Sequence, residues 1–444
     1  MLVHVGLDDF DSPLGNCTTY VGARLAIFLD SLEGVELLDY PYLVRLNPNV
    51  PFKTRGNGAV ALRLRVRNYC LEELAGIVLS KIEELIELRH PKTDPVVVFK
   101  VGEVGSAIKS LYWKALRSVV ALSVVERLAQ KEDVLAFKWK RGRGLIGALA
   151  ALGVTFNDYT FELLSYRRQM AERRLVRERL EAYDADYSSY TFANVDYRKE
   201  RVLVTPRGPD PVYFGIRGEN PLVLLDFILN YVDDDVRRNI DFWVIFKTNQ
   251  ATGVHFESKR ISDVRPYDSV CIEGTLASKV RILRGGHVLF RVKDREGEVI
   301  ECSVYRETGR LNSLAKVLSP GMFVRVFGSV RPSSPKHGIT INVEQIEILE
   351  PSHVVITHSP ICPKCGKRMK SAGKGKGYKC PRCAYWRKDL EKTVIRLPHI
   401  VEPGLYLPSS RAYRHLTKPE SRYGVKRSPV EFKIIPWYGT FKIQ

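Results

Sequence analysis

The stretch CPKCGKRMKSAGKGKGYKCPRC, residues 362–383, determines the fold of the C-terminal part of this chain. Each of its two C-P-x-C turns places a pair of thiolates close enough to bind one tetrahedral ion, and the four ligands are Cys362, Cys365, Cys380 and Cys383. Zn²⁺ suits this site because it is borderline-soft, redox-inert and satisfied by four thiolates. Since protein fills all four positions, we predict a structural zinc ribbon; two disulfides are the less favoured alternative.

Positive charge is concentrated around this ribbon. The chain of 444 residues has a formal net charge of +19. Residues 362–444 contain twenty Lys or Arg and five Asp or Glu, a net charge of +15. That concentration is typical of a surface that binds phosphates, and a solvated basic face is the alternative. The residues that we expect to contact a nucleic acid are Lys374, Lys376, Lys379, Arg411, Arg414, His415 and Lys418.

The segment before the ribbon has an all-β texture. Residues 268–349 hold five strand candidates separated by Gly, Asp and Pro turns, with a helical stretch at 312–318 between the third and the fourth. Five strands with a helix in that place is the order of an OB-fold, a barrel that commonly binds oligonucleotides. Other small barrels share this texture, so the pattern alone leaves them open.

The first 265 residues alternate between strands and helices. Hydrophobic periodicity predicts strands at 2–7, 59–66 and 95–101 and helices at 18–32, 71–88, 106–128 and 142–151. A strand, a helix and a strand near 201–206, 222–232 and 241–248 indicate a ferredoxin-like or βαβ element. We therefore predict a multidomain α+β fold with an N-terminal α/β domain at 1–200, a ferredoxin-like domain at 201–265, an OB-fold β-barrel at 266–352, and a zinc ribbon with a basic tail at 353–444.

An acidic turn follows the first strand. Asp8, Asp9 and Asp11 are three carboxylates within four residues. They repel each other unless a cation neutralises them, and hard oxygen ligands favour Mg²⁺. Thr18 and Thr19 can cap the next helix, whose free N–H groups attract phosphate. A capped helix with solvated aspartates is the alternative that these residues leave open.

Two further segments join cations to glycines. Glycine lets the backbone approach an oxyanion, and arginine supplies a planar fork of donors. Both segments are therefore predicted to be phosphate clamps, and each alone is a weak signal. The first comprises Lys53, Arg55, Gly56, Asn57 and Gly58, and the second comprises Arg141, Gly142, Arg143 and Gly144.

The chain lacks an apolar stretch of the roughly 18 residues that cross a bilayer. Residues 1–4 begin a strand rather than a signal peptide. We therefore expect a cytoplasmic protein.

Several long motifs occur in a specific order over nearly the full length of the chain. They are GLDDFDSPLGNCTTY (6–20), RLNPNVPFKTRGNGAV (45–60), RGRGLIGALAALG (141–153), TFANVD (191–196), FGIRGE (214–219), GGHVLF (285–290), the ribbon, and PSSRAYRHLTKP (408–419). In this order they resemble one known family, the archaeal 2-agmatinylcytidine synthetases of the AUA-decoding isoleucine tRNA.

The resemblance implies a kinase-like N-terminal domain followed by the ferredoxin-like domain, the OB-fold and the ribbon. It implies that ATP activates C2 of the wobble cytidine in a CAU anticodon by phosphorylation, and that agmatine then displaces the phosphate. It also implies that Thr18 is autophosphorylated and that Asp8, Asp9 and Asp11 organise Mg²⁺-ATP. Phe10 stands where the family turn usually has threonine, so any role of that hydroxyl is absent here.

The guanidinium of agmatine requires a carboxylate and backbone carbonyls. Candidates are Asp196, Gly215, Ile216, Arg217, Gly218 and Glu219, and the sequence does not choose among them.

Two other functions are compatible with parts of the chain. The first is non-enzymatic binding of single-stranded nucleic acid through the barrel and the ribbon, although this function leaves the first 260 residues without a role. An RNA ligase is the other, and the sequence lacks its K-x-D-G motif.

Overall fold

The computed structural model describes residues 1–53, 56–168, 171–206, 208–335, 337–398, 401–424 and 436–441. At 353–356 and 395–398 it describes the backbone alone.

The N-terminal half is built on one mixed sheet. Its elements are β1 (Leu2–Asp8), α1 (Thr18–Asp30), β2 (Val35–Leu37), β3 (Tyr42–Arg45), β4 (Gly58–Val66), α2 (Leu71–Glu83), β5 (Val96–Val101), α3 (Ser106–Arg117), α4 (Leu122–Lys131), β6 (Leu135–Lys138), α5 (Leu145–Leu152), β7 (Thr160–Arg167), α6 (Arg177–Asp186), β8 (Val195–Asp196), β9 (Arg201–Val202), β10 (Val212–Gly218), α7 (Pro221–Asp226), α8 (Asp234–Arg238) and β11 (Ile240–Thr248). A π-helical turn, Phe227–Tyr231, continues α7.

The remaining elements are strands and one α-helix. They are β12 (Glu257–Ser258), β13 (Ser269–Leu276), β14 (Arg281–Ile282), β15 (Val288–Lys293), β16 (Val299–Val304), α9 (Arg310–Ala315), β17 (Phe323–Arg331), β18 (Thr340–Glu350), β19 (His353–His358), β20 (Lys370–Ser371), β21 (Tyr378–Lys379), β22 (Trp386–Arg387), β23 (Thr393–Pro398), β24 (Gly404–Tyr406) and β25 (Tyr438–Gly439).

The large sheet has the strand order β10-β7-β11-β3-β4-β1-β5-β6, with β2 beside β4 and β25 beside β11. β1 is an interior strand and pairs antiparallel with β4 and β5. Because β7 pairs with β10 and β11, the sheet continues across residue 200, where we predicted a domain boundary. The domain limits stay a prediction, and the sheet groups β7 with the strands that follow it.

The OB-fold prediction is confirmed by a closed five-stranded barrel. Strand β13 pairs with β17, β17 with β18, β18 with β16 and β16 with β15, and the pairing of β15 with β13 closes the ring. Helix α9 lies between the third and fourth barrel strands, as the pattern predicted. Strand β24, from the segment after the ribbon, pairs with β18, so the C-terminal segment returns to the barrel.

Three predictions of individual elements are wrong. The helix expected at 106–128 is two helices, because Ser118 is extended (φ −141°, ψ 176°) and ends α3. Helix α2 ends at Glu83 rather than Leu88, and Nδ2 of Asn16 donates to the carbonyl of Leu85 just beyond it. The strand expected at 201–206 has only the two residues of β9.

The sequence patterns also missed elements that complete the sheet. Strands β3, β7 and β10 were not predicted, and they form much of the half of the sheet that carries β11. Their side chains are almost all buried, so no polar face marks them.

Candidate active site

The acidic turn lies at the end of the interior strand β1. Asp9 has a left-handed backbone (φ 63°), and its N–H donates to Oδ1 of Asp8 at 2.7 Å. Burial raises the pKa of Asp8 well above its ordinary value, and the neighbouring Asp9 raises it further. Burial also raises the pKa of Asp9 to about 7, although Arg143, whose Nε lies 3.6 Å from Oδ2, opposes that shift. These carboxylates therefore lie where a cation would stabilise their charged forms.

Helix α5 is shaped around the acidic turn. A Cβ atom on Gly147 would lie 1.8 Å from Oδ2 of Asp8, so only glycine lets the helix approach this carboxylate. Asp94, which the sequence analysis missed, holds the start of the helix: the N–H groups of Gly142 and Arg143 donate to its two oxygens at 2.8 and 3.2 Å. Asp94 is buried, and its only sequence signal is an Asp-Pro pair before a strand.

A cleft of about 420 Å³, here called the nucleotide cleft, opens beside the turn. Its charged and polar lining brings together the two predicted clamps and the aspartates: Asp8, Asp9, Asp11, Lys53, Gly56, Asn57, Gly58, Asp94, Arg141 and Arg143. Its apolar lining comprises Leu46, Val50, Phe52, Val119, Val120, Leu122 and Ile146. The guanidinium of Arg143 lies 5.7 Å from the exposed ring of Phe52. This mixture suits a nucleoside triphosphate, whose base is apolar and whose phosphates are anionic.

Two of the predicted clamp glycines lie in the backbone behind this cleft rather than in its lining. Gly142 donates to a side-chain oxygen of Asp94, and the N–H of Gly144 donates to the Asp94 carbonyl at 3.3 Å. Arg55 lies outside the described residues.

The aspartates fit a magnesium ion that is shared with a nucleotide better than a closed protein cage. Among the described residues, three or more metal-ligating side chains converge only at the four cysteines. Magnesium commonly takes one or two carboxylates, with phosphate oxygens and waters filling its other positions. Asp8, Asp9 and Asp11 would hold it in this way, and the ion would neutralise charge on the phosphates.

Thr18 lies in a second cleft of about 190 Å³, here called the threonine cleft. The prediction that Thr18 or Thr19 caps α1 is wrong, since Cys17 is the N-cap residue and its side chain makes no capping bond. Instead, Oγ1 of Thr18 accepts the N–H of Phe10 at 3.2 Å and donates to Oδ2 of Asp11 at 3.4 Å. The hydroxyl thus belongs to the acidic turn.

The threonine cleft carries charged groups that the sequence analysis missed. Glu162, 2 % exposed, lies 3.2 Å from both Arg45 and Arg217. Arg45, burial and Arg217, in that order, hold the pKa of His415 well below its ordinary value. The lowered pKa reports a positive potential, which favours an anion such as a phosphoryl group. A charge within the apolar strand TFELLSYR was the signal for Glu162.

The segment predicted to bind agmatine is only partly in this cleft. Gly215 and Arg217 line it, together with Asp210, which forms an ion pair with Arg173 at 3.2 Å. The side chain of Ile216 is fully buried in the core.

The other three agmatine candidates lie elsewhere. Glu219 forms a buried ion pair with Arg422 at 2.7 Å. Gly218 packs against the carbonyl of Tyr190. Asp196 lines a separate cleft of about 990 Å³ next to α9. The agmatine contacts stay a prediction.

Gly56 is the point where the clefts meet. It lines the nucleotide cleft, the threonine cleft and a third one of about 370 Å³, the tail cleft, which the segment 410–416 closes. A Cβ atom on Gly56 would lie 3.1 Å from Nε2 of His415. The acidic turn, Thr18 and the C-terminal cations therefore surround one space.

The ribbon has the geometry of a zinc site. The Sγ atoms of its four cysteines lie within 4.8 Å of one another, and the pairs Cys362–Cys383 and Cys365–Cys380 are 3.6 and 3.4 Å apart. Thiolates at about 2.3 Å from one ion lie about 3.8 Å apart, whereas a disulfide needs about 2.05 Å. The residues after each turn, Gly366 (φ 70°) and Ala384 (φ 55°), are both left-handed, so the two halves have matching backbones.

The predicted RNA-contacting cations differ in whether they are exposed to solvent or already bonded to other side chains. Those of the ribbon hairpin, Lys374, Lys376 and Lys379, are exposed, and so is Arg411. Arg414 instead donates to Oδ1 of Asn49 at 2.7 Å and to Glu344 at 3.1 Å.

The last two predicted RNA-contacting residues are His415 and Lys418, and Trp386 is a further candidate that the sequence patterns missed. Lys418 donates to Asp158 at 3.4 Å, and His415 lies between the tail and threonine clefts. Trp386, half exposed on the ribbon and not predicted, offers a ring on which a base can stack.

Four family models match successive parts of the chain. Residues 4–141 match the model "TiaS TCKD domain", 142–255 "TiaS FLD domain", 270–349 "OB-fold nucleic acid binding domain" and 359–398 "TiaS C-terminal zinc ribbon domain".

Relatives and solved structures cover nearly all of the chain. TiaS of Thermofilum pendens, a 2-agmatinylcytidine synthetase of an isoleucine tRNA, is 43 % identical over 435 residues, 96 % of each chain. A crystal structure of TiaS in complex with that tRNA and ATP is similar with a TM-score of 0.83 at 34 % identity, covering 96 % of this chain and 98 % of that one. A complex of TiaS with the tRNA, AMPCPP and agmatine gives a TM-score of 0.81 at 32 % identity, with the same coverage. The chain therefore belongs to the TiaS family.

Proposed function

We propose that this protein is an ATP-dependent synthetase that attaches agmatine to C2 of the wobble cytidine of isoleucine tRNA with a CAU anticodon. The observation that carries the proposal is the meeting of the three clefts at Gly56. ATP, an isoleucine tRNA and agmatine are named in the solved structures of its relatives. The nucleotide cleft has a lining that suits ATP, and the threonine cleft has carboxylates that suit agmatine.

The reaction needs an activated oxygen. C2 of cytosine carries an amide-like carbonyl, whose oxygen cannot leave as it stands. Transfer of a phosphoryl group from ATP to that oxygen makes it a leaving group. The primary amine of agmatine then attacks C2, the C2–N bond forms, and the C2–O bond breaks as phosphate departs.

The nucleotide cleft supplies the first step. Lys53, Arg141 and Arg143 line this cleft and would neutralise charge that moves between phosphate oxygens, together with magnesium held by the aspartates. The apolar lining with Phe52 receives the base. We propose these as the ATP-binding residues.

The threonine cleft is suited to a phosphoryl anion and a cationic amine. Arg45, Arg217 and a neutral His415 favour the anion, while the carboxylates that line this cleft and would attract a guanidinium are Asp11, Glu162 and Asp210. The resemblance implies phosphorylation of Thr18, and its place beside Asp11 supports that role.

RNA would enter from the C-terminal side. An anticodon base must be unstacked for C2 to be reached, which is easier in a loop than in a duplex. The exposed ribbon lysines and Trp386 are placed to bind the backbone and to stack a base. The location of the protein follows its substrate, so we propose that it is cytoplasmic; among the described residues, no helix is long and apolar enough to cross a membrane.

Mass spectrometry of nucleosides tests the proposal. Isoleucine tRNA incubated with the protein, ATP and agmatine should yield 2-agmatinylcytidine, and omission of ATP should abolish it. Asp9→Ala should lose product formation, whereas Asp235→Ala, which removes a carboxylate with 91 % exposure, should not. Product formed without ATP, or by Asp9→Ala at the wild-type rate, would contradict the proposal.

Non-enzymatic binding of single strands is not favoured. It assigns no role to the nucleotide cleft, the buried aspartates or the threonine cleft. Equal binding of unrelated strands, independent of ATP and without product, would support it.

A further inference from the structure

Residues 267–269, where the barrel begins, form hydrogen bonds with residues that border the nucleotide cleft. Nδ2 of Asn47 donates to the carbonyl of Tyr267 at 2.9 Å, and Nδ2 of Asn49 donates to Oγ of Ser269 at 3.1 Å. Both asparagines belong to the loop 46–57, which joins β3 to β4 and carries Lys53 into the cleft. The barrel therefore holds one rim of the nucleotide cleft.

The second rim is held by the residue between these two. Oγ of Ser118 donates to Oδ1 of Asp268 at 2.8 Å. Ser118 ends α3, and residues 119–122 after it supply much of the apolar lining of the cleft. A movement of residues 267–269 would therefore displace both the phosphate side and the base side of the cleft.

The barrel turn is itself firmly held. Asp268, 3 % exposed, also accepts from Nζ of Lys259 at 2.9 Å and from the N–H of Arg265 at 3.0 Å. Tyr267 has a left-handed backbone (φ 69°), and its N–H donates to the carbonyl of Val330 in β17 at 2.8 Å. The turn thus moves with the barrel rather than independently of it.

The C-terminal segment adds a third connection. Arg414 donates to Asn49 at 2.7 Å and, through the same nitrogen, to Ser329 of β17 at 3.3 Å and Glu344 of β18 at 3.1 Å. Its guanidinium is thus engaged between the loop and the barrel wall, and this cation has less freedom to contact RNA than we predicted.

We infer that Asn49 and Ser118 are positioning residues that couple RNA binding by the barrel to nucleotide binding in the cleft. The inference rests on the proposed function, since it takes the barrel as an RNA-binding module. RNA that engages the barrel biases residues 267–269, and these set the separation of the two rims. The coupling is reciprocal, so nucleotide tightens RNA binding by the same factor by which RNA tightens nucleotide binding.

The coupling is measured with a non-hydrolysable ATP analogue. Its Kd is determined with and without saturating isoleucine tRNA for the wild type, Asn49→Ala, Ser118→Ala and the double variant. For the wild type we expect tRNA to lower the Kd by about fivefold or more. Each single variant should reduce that ratio and the double variant should reduce it further, while the Kd of Asn49→Ala without tRNA changes by less than about twofold.

Two matched controls remove the same groups away from the cleft. Ser262→Ala removes a hydroxyl that donates to the exposed Asp263, and Asn230→Ala removes an amide that bonds the helix residue Asp226. Both should keep the wild-type ratio. Melting temperatures of all variants confirm that they are folded, and Asn49→Ala keeps the test open if Ser118→Ala does not fold.

The steady-state reaction gives a second readout. In the presence of tRNA, Asn49→Ala should raise the KM for ATP while kcat stays within about twofold, because Asn49 does not line the nucleotide cleft. Three results would each overturn the inference. The ratio of the Kd values without and with tRNA could be 1 for the wild type, it could be unchanged in the double variant, or the variants could lose nucleotide binding equally with and without tRNA. Product formation by the wild type is scored separately, so failure of the coupling is distinguishable from failure of the proposed function.

Discussion

The N–H of Phe10 donates a hydrogen bond of 3.2 Å to Oγ1 of Thr18. Phe10 is fully buried, and its ring packs edge-on against Trp139 at a centroid distance of 6.2 Å. Phe10 therefore anchors the acidic turn in the core through its ring and contacts Thr18 through its backbone N–H.

The substitution Thr18→Val tests the role of the Thr18 hydroxyl, because it removes the oxygen that accepts this bond. Valine keeps the volume but loses the oxygen, so we expect Thr18 phosphorylation and agmatine transfer to be lost and the free energy of unfolding to fall by about 1 kcal/mol. Phosphopeptide mass spectrometry and nucleoside analysis measure this. Thr18→Ser should retain both activities; wild-type product formation by Thr18→Val would exclude the hydroxyl from the reaction.

Gly147 should tolerate no side chain. Because a Cβ atom there would lie 1.8 Å from Oδ2 of Asp8, Gly147→Ala should displace that carboxylate, cost about 1–3 kcal/mol of stability and greatly weaken ATP binding. Gly76→Ala, on an exposed face of α2 with nothing within 4 Å, is the control and should stabilise the protein by about 0.5–1 kcal/mol. Calorimetry and nucleotide titration compare them; equal behaviour of the two variants would contradict the close approach.

Zinc removal should separate RNA binding from nucleotide chemistry. The ribbon has three buried apolar or thiol side chains in its cluster, so without the ion it should unfold. Cys362→Ser should lower the zinc content from one ion per chain and weaken tRNA binding about tenfold or more, equivalent to about 1.4 kcal/mol. Thr18 phosphorylation should persist, because the nucleotide cleft uses residues 8–147. A zinc-free wild-type protein would remove the basis of this prediction.

His4 should make stability depend on pH. It is 5 % exposed in β1 between Arg63 and Lys100, and burial, followed by the charge of Arg63, lowers its pKa from 6.5 to about 4. The unfolded chain therefore binds the proton more readily than the folded chain. Through His4, the free energy of unfolding should fall by about 3 kcal/mol as the pH is lowered from 6.5 towards 4.

Urea unfolding between pH 4 and 8 measures that dependence. His4→Gln, which does not titrate, should flatten this part of the profile. A profile that is identical in wild type and variant would assign the acid sensitivity to other groups.

The chain's local patterns determined the features that depend on short-range chemistry. Cysteine spacing alone specifies a zinc ribbon, since the ligands of each turn are three residues apart. In residues 268–349, the alternation of apolar and polar side chains and the turn residues between the strands were enough to predict a five-stranded barrel. The acidic turn and both cation–glycine segments were likewise visible, because each is a local concentration of charge.

Tertiary structure alone decided which of these segments share a space. Asp94, Glu162 and Asp210 reach the clefts from strands and loops that no local pattern connects, because sheet pairing joins residues far apart in sequence. Backbone hydrogen bonds from Ala251 and Gly253 to the carbonyls of His415 and Leu416 hold the C-terminal segment next to Gly56, where three clefts join. Burial, which depends on every neighbour, sets the raised pKa values of Asp8 and Asp9. Sequence thus specified the chemical groups, and long-range packing specified their distances and their charge states.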